Sequence, residues 1–240
     1  MSSGEAGPAP RLRPLESIEP AASGWRHLPA GELASRLMTS RPSADRPCLV
    51  AIDGRSAGGK STLAAALTDV TPSAAVLHTD DLAWHEPFFG WAHLLEALLK
   101  QVRSGEAVRF RPPAWPRHGR AGAIEVPSGL DLILVEGVGA NDRAVAELYD
   151  AAVWVQSDGT AARHRGIERD VASGENGDRA QSIAFWDEWD QHERGYLADQ
   201  RPWERSDVIA LGTPSDPVPP GHVVVAPGPG RGTVPGVGRA

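Results

Sequence analysis

Residues 48–62 read CLVAIDGRSAGGKST, and the reading of the whole chain turns on them. An apolar run, 48–53, passes into Gly54-Arg55-Ser56-Ala57-Gly58-Gly59-Lys60-Ser61, which satisfies the pattern G-x-x-x-x-G-K-[ST]. In a chain of this composition such a match arises by chance about 0.2% of the time. The context strengthens it. The run before the loop reads as a strand, and 62–67 (TLAAAL) continues as a helix from Thr62, the setting the pattern requires. Glycines let a backbone approach phosphate oxygens with no Cβ between them. Successive N–H groups and a helix N-terminus then face the anion. Lys60 offers a mobile positive charge to the β- and γ-phosphates, and Ser61 offers a hydroxyl to Mg²⁺. The expectation is a loop, Gly54 through Thr62, that binds ATP with Mg²⁺. The plain alternative is a glycine-rich turn with a solvated lysine.

Working outward, four further apolar runs follow: 75–79, 132–136 (LILVE), 151–156 (AAVWVQ) and 207–211 (DVIAL). They are near-continuous rather than alternating, which predicts strands of a parallel sheet covered on both faces. Helical stretches are predicted at 31–39, 62–67, 91–102, 143–149, 161–172 and 182–199. The alternation predicts an α/β fold of the P-loop NTPase type. That fold is expected to be a five-stranded parallel sheet flanked by helices, with a small lid. Residues 222–226 (HVVVA) are a candidate extra edge strand.

Composition narrows the function. The chain has 240 residues, 41% of them apolar, with no apolar run near the ~18 residues of a membrane span and no secretory leader pattern. A soluble, cytoplasmic protein with no membrane partner is expected. The net charge of −7 argues against an extended nucleic-acid surface. Cys48 stands alone, so no internal disulfide forms, and its apolar neighbours predict a buried thiol. Lysine occurs only at 60 and 100. Residues 1–23 are rich in Pro, Gly and Ser and predict a flexible tail. A single domain is expected over 24–226, with a Gly/Pro-rich tail at 227–240.

In open α/β sheets ligands sit beyond the carboxyl ends of the strands. Asp80 and Asp81 follow the second run, and Glu136 ends the third. Asp80 is placed to accept the proton of an attacking hydroxyl, and Glu136 to hold Mg²⁺. Asp81 is either a further magnesium partner or a helix cap. Arg165 and Arg169, four apart on a predicted helix, share a face from which they could track charge on a transferring phosphoryl group. Arg163 is a weaker third. The alternative is a solvated helix with local Arg–Glu or Arg–Asp pairs. The stretch 173–178 (SGENGD) reads as a lid hinge. Residues 84–91 (WHEPFFGW) and 109–118 (RFRPPAWPRH) mix aromatic, Arg and His side chains, suited to a small polar, ring-bearing or anionic acceptor. Trp154, Trp186, Trp189 and Trp203 read as packing.

These residues resemble the uridine kinase, phosphoribulokinase and pantothenate kinase group of P-loop kinases. The loop 53–62, Asp80-Asp81-Leu82, Glu136-Gly137 and Arg165-x-x-x-Arg169-Asp170 match that group's motifs in order and spacing. The resemblance implies ATP as donor, a small-molecule hydroxyl as acceptor, Asp80 as general base and a lid carrying Arg165 and Arg169. The chain departs from the group at Leu82 and Ala83 for aromatic residues, at Gly90 for an acceptor-binding acid, and at Gly166 for a second arginine. The uridine-binding pattern is therefore incomplete, although a nucleoside acceptor is retained as an expectation. The rival expectation is a nucleotide-dependent switch or slow ATPase with no small-molecule acceptor.

Overall fold

A computed structural model describes residues 19, 22–41, 43, 45–230 and 234. The tail expected at 1–23 lies outside the described residues except for Glu19, Ala22 and Ser23. So does the tail expected at 227–240, except for 227–230 and Val234.

Among the described residues nine strands form in chain order: β1 (Arg26–Pro29), β2 (Cys48–Gly54), β3 (Ala74–His78), β4 (Val108–Phe110), β5 (Ile124–Val126), β6 (Leu132–Glu136), β7 (Ala151–Gln156), β8 (Val208–Leu211) and β9 (His222–Pro227). The main sheet runs β1-β9-β8-β7-β2-β6-β3. Its five strands β3, β6, β2, β7 and β8 are parallel, as the apolar runs predict. The sheet is nevertheless seven-stranded, because β9 and β1 extend it with antiparallel pairings. The candidate edge strand β9 is thus interior to β1. Arg-His-Leu-Pro shows no strand periodicity, and Pro29 is tolerated because β1 is the true edge. A two-stranded ribbon, β4 with β5, stands apart.

The helices are α1 (Ala30–Met38), α2 (Lys60–Thr68), α3 (Thr79–Ala83), α4 (Ala92–Val102), α5 (Ala114–Arg117), α6 (Gly159–Ser173) and α7 (Arg179–Gln200). The helix predicted over 143–149 is only a 3-10 turn, Ala146–Leu148. Strand β2 is buried along its whole length. Its alternate residues feed two cores: Cys48, Val50 and Ile52 pack with α1 and α2, while Leu49 and Ala51 pack with α4. A third cluster joins Trp154, Trp203, Leu197 and β8–β9. The Cys48 thiol is buried as expected, and burial pushes its pKa up to about 12. No described helix is long and apolar enough to cross a membrane.

The stretch 173–178 is a tight connection between α6 and α7. Gly174 caps α6 in the left-handed conformation, and Asp178 with Gln181 forms a capping box on α7. Gly166 has a packing reason: a Cβ there would lie 1.9 Å from Trp186 Cζ2. Trp186 reaches back to donate its Nε1–H to the buried Asp170 carboxylate at 2.7 Å. Gly166→Ala is therefore expected to destabilise the protein by about 1–3 kcal/mol. Gly195→Ala, in α7 with nothing within 4 Å of the new methyl, should stabilise it by roughly 0.4–1 kcal/mol. Urea denaturation of the two variants, side by side, checks both signs.

Candidate active site

The glycine-rich loop leaves β2 at Gly54 and enters α2 at Lys60. Three of its glycines are required by contact. A Cβ on Gly54 would meet the Val155 carbonyl oxygen at 2.7 Å, and one on Gly58 the Arg55 carbonyl oxygen at 2.7 Å. Gly59 has φ +102°, and its Cβ would lie 2.9 Å from the Gly212 carbonyl oxygen. Ala57 occupies a left-handed conformation, φ 53°, that glycine adopts more easily. The buried Lys60 donates Nζ–H to the Arg55 carbonyl at 2.8 Å.

The loop floors a cleft of about 500 Å³ lined by Ser56, Ala57, Gly58, Gly59, Lys60, Ser61, Thr62, Asp80, Glu136, Gly137, Val138, Arg165, Arg169 and Gly212. Helices α2, α3 and α6 and strand β6 thus bring Lys60, Ser61, Asp80, Glu136, Arg165 and Arg169 to one place. Asp80 is exposed at the start of α3. The Arg165 guanidinium donates to the Ala57 carbonyl at 2.6 Å. Arg169 also pairs with Asp170 at 2.9 Å, the local partner that sequence allowed, while its side chain stays 62% exposed.

Glu136 closes β6 in register with Ile52 of β2 and His78 of β3. Its Oε1 accepts from the Ser61 hydroxyl at 3.2 Å and meets His78 Nδ1 at 2.7 Å. Its Oε2 is buried with no hydrogen-bond partner among the described residues. Burial alone would raise the Glu136 pKa, but the hydrogen bond from His78, the Lys60 charge and the Ser61 hydroxyl together hold it below the ordinary value. The same bond raises the His78 pKa. An ionised carboxylate with a spare oxygen beside a serine hydroxyl fits Mg²⁺, which takes one or two protein oxygens and completes its shell with phosphate and water. Among the described residues no three His, Cys, Asp or Glu side chains form a metal cage.

Three expected participants sit elsewhere. Asp81 does not line the cleft. Its carboxylate pairs with Arg120, and its carbonyl accepts the Trp115 indole N–H at 2.9 Å. Arg55 does not line the cleft either, and its side chain is buried against Asp190 and Glu193 at 3.5 and 3.6 Å. Arg163 pairs with Asp187. The acceptor-like stretches do come together. Arg120 lies 3.7 Å over the Trp115 ring, and His85 and His118 stack at 3.9 Å.

Two residues of the site were not singled out from sequence, and a third, Asp53, was read only as the end of a strand and the first position of the loop motif. His78 carried no motif. Gly212 follows β8, and its Cβ would lie 1.8 Å from the Gly58 carbonyl oxygen, so the turn after β8 presses directly on the loop. Asp53 has no exposure. Its Oδ1 accepts from Gly54 N–H at 2.7 Å and Gly139 N–H at 3.1 Å, and its Oδ2 from Asn141 N–H at 2.9 Å. A carboxylate closing an apolar strand was the available signal.

A second hollow, of about 210 Å³ and mostly apolar, shares Gly59, Thr62 and Gly212 with the cleft. It continues over Leu63, Ala66, Val155, Leu211 and Val223.

Solved structures share this architecture. D-glycerate 3-kinase from Cryptococcus neoformans var. grubii superposes with a TM-score of 0.54 at 13% identity, covering 76% of this chain and 93% of that one. A protein provisionally named a fructose transport system kinase, from Silicibacter sp. TM1040, gives 0.46 at 19% identity over 65% of this chain and 93% of its own. A possible uridine kinase from Bacillus stearothermophilus gives 0.46 at 21% identity over 74% and 98%. At such identities the likeness shows the fold alone. No protein-family model matches the chain, and no curated protein does.

Burial raises the Asp53 pKa from 3.8 to about 6, against the opposing pull of the Asn141 and Gly54 N–H groups, the Lys60 charge and the Gly139 N–H. Between those values the native state keeps a proton that the unfolded chain has released. The Asp53 contribution to stability is therefore full below pH 3.8 and lost as pH rises through about 6. The stability difference between wild type and Asp53→Asn, from urea midpoints, should shift against the wild type across that window. A difference independent of pH would mean that Asp53 is already ionised in the native state throughout it.

Proposed function

We propose that this protein is an ATP-dependent kinase that phosphorylates a hydroxyl of a small metabolite, a nucleoside being one candidate class, through the unit 24–226. The observation that carries the reading is that Asp80, Lys60, Ser61, Glu136, Arg165 and Arg169 line one cleft. A nucleotide switch needs no exposed carboxylate there.

The triphosphate would lie along residues 54–62, and the apolar hollow beyond Thr62 and Gly212 suits the nucleobase. Lys60 and Arg165 now donate to the loop carbonyls of Arg55 and Ala57, partners that phosphate oxygens can replace. Ser61 and Glu136 would hold Mg²⁺, which neutralises charge on the β- and γ-phosphates when bound. Asp80 takes the acceptor's hydroxyl proton as its oxygen forms a bond to the γ-phosphorus. The bond from that phosphorus to the bridging oxygen breaks, and ADP departs with the electron pair. Arg165 and Arg169 balance the charge on the moving group.

The test is ATP consumption with Mg²⁺ across nucleosides, pantothenate and sugars. One acceptor should stimulate turnover. Asp80→Asn should lower the stimulated rate by about 10²–10⁴-fold with the KM for ATP little changed. Lys60→Ala should abolish turnover. Slow hydrolysis that ignores every acceptor and survives Asp80→Asn would favour the switch reading instead.

A further inference from the structure

Helix α7 touches both the phosphate loop and the aromatic stretch 84–91 within one turn. Glu193, 3% exposed, accepts the Ser56 backbone N–H on Oε1 at 2.8 Å. The same oxygen accepts the Trp189 indole N–H at 3.2 Å. The Trp189 ring in turn packs on Phe88 at 5.5 Å and Phe89 at 5.3 Å between centroids. Phe89 also stacks on Tyr196 of α7 at 4.2 Å, and Phe88 lies 4.6 Å from His192. The backbone of this stretch is unusual. His85 and Phe89 both have positive φ, 60° and 58°, a conformation bulky residues hold only when their surroundings impose it. On the loop side Arg55 is buried against Asp190 and Glu193 and does not line the cleft.

We propose that Glu193 is a positioning residue that sets the phosphate loop and ties its conformation to the aromatic stretch 84–91 through Trp189. Oε1 is shared by a loop amide and an indole, so a displacement of Phe88 or Phe89 moves the ring, the shared oxygen and the Ser56 amide together. If the proposed function holds, the stretch beside Asp80 borders the acceptor, and the link makes the loop's shape depend on whether an acceptor is seated.

Amide hydrogen exchange of the ligand-free protein, read by mass spectrometry, tests this without reference to activity. Glu193→Ala is expected to speed exchange roughly tenfold in residues 54–60 and also in 84–91. Glu193→Gln keeps the acceptor oxygen and should leave both segments within about threefold of wild type. Trp189→Phe keeps a ring against Phe88 and Phe89 but deletes the shared N–H. It should speed exchange in 54–60, and it serves if Glu193→Ala does not fold. Unchanged exchange in the loop overturns the positioning role, and a change confined to the loop overturns the link to 84–91. In steady-state kinetics Glu193→Ala should raise the KM for ATP more than it lowers kcat, with rescue by Glu193→Gln. A protein that exchanges as expected yet consumes no ATP would sink the kinase reading and leave the link standing.

Discussion

A loop that wraps phosphate cannot be stabilised by its own side chains, because glycine is what lets it wrap. It must be held from behind, and the buried carboxylate of Asp53 does the first part of that holding. Its two oxygens gather backbone N–H groups from the end of β2 and from the turn after β6. This fixes the spacing between the phosphate loop and the strand that delivers Glu136. Removing three N–H donors from water is tolerable only because one ionisable group satisfies them all. The turn after β8 braces the loop from a second side, where Gly58 and Gly59 meet Gly212 with no room for a side chain. Helix α7 braces it from a third, through Glu193 and Arg55.

The same logic explains why the catalytic candidates converge from distant parts of the chain. Parallel strands share a carboxyl end, so whatever follows β2, β3 and β6 meets on one side of the sheet. Asp80 comes from the end of β3 and Glu136 from the end of β6, while α6 carries Arg165 and Arg169 over the top. Gly137 allows the close approach there: a Cβ would lie 1.8 Å from Thr79 Oγ1, at a φ of +144° that only glycine adopts comfortably.

Much of this was legible because it is local. Five parallel strands announced themselves as apolar runs, and the loop pattern named its own strand and helix. Residues four apart on a helix had to share a face, which brought Arg165 and Arg169 to the cleft together. What sequence could not show depends on partners far away in the chain. Arg26–Pro29 becomes a strand only because β9 offers it an edge. Asp81 sits beside Asp80 in sequence, yet one residue of helical rotation turns it to Arg120 on another segment. The acid of Asp53 read as the last residue of a strand, and its three N–H partners lie partly in a turn more than eighty residues on. Residues 143–149 are short and alternate poorly, and the tertiary structure kept only a 3-10 turn of them.

The outer edge of the sheet has a temporal consequence. Strand β1 precedes the parallel core in the chain, yet its partner β9 follows it, with Leu28 pairing across from Val223. During synthesis the first strand therefore emerges long before anything exists for it to pair with. The five parallel strands and the loop they carry can assemble while it waits. The sheet is sealed last, by a closure spanning most of the polypeptide, the slow kind of contact in a folding chain. Until then the flank of β8 lacks its antiparallel neighbour and offers unpaired backbone to any passing strand. A ribosome that stalls before His222 would release a protein with its phosphate loop built and that edge open.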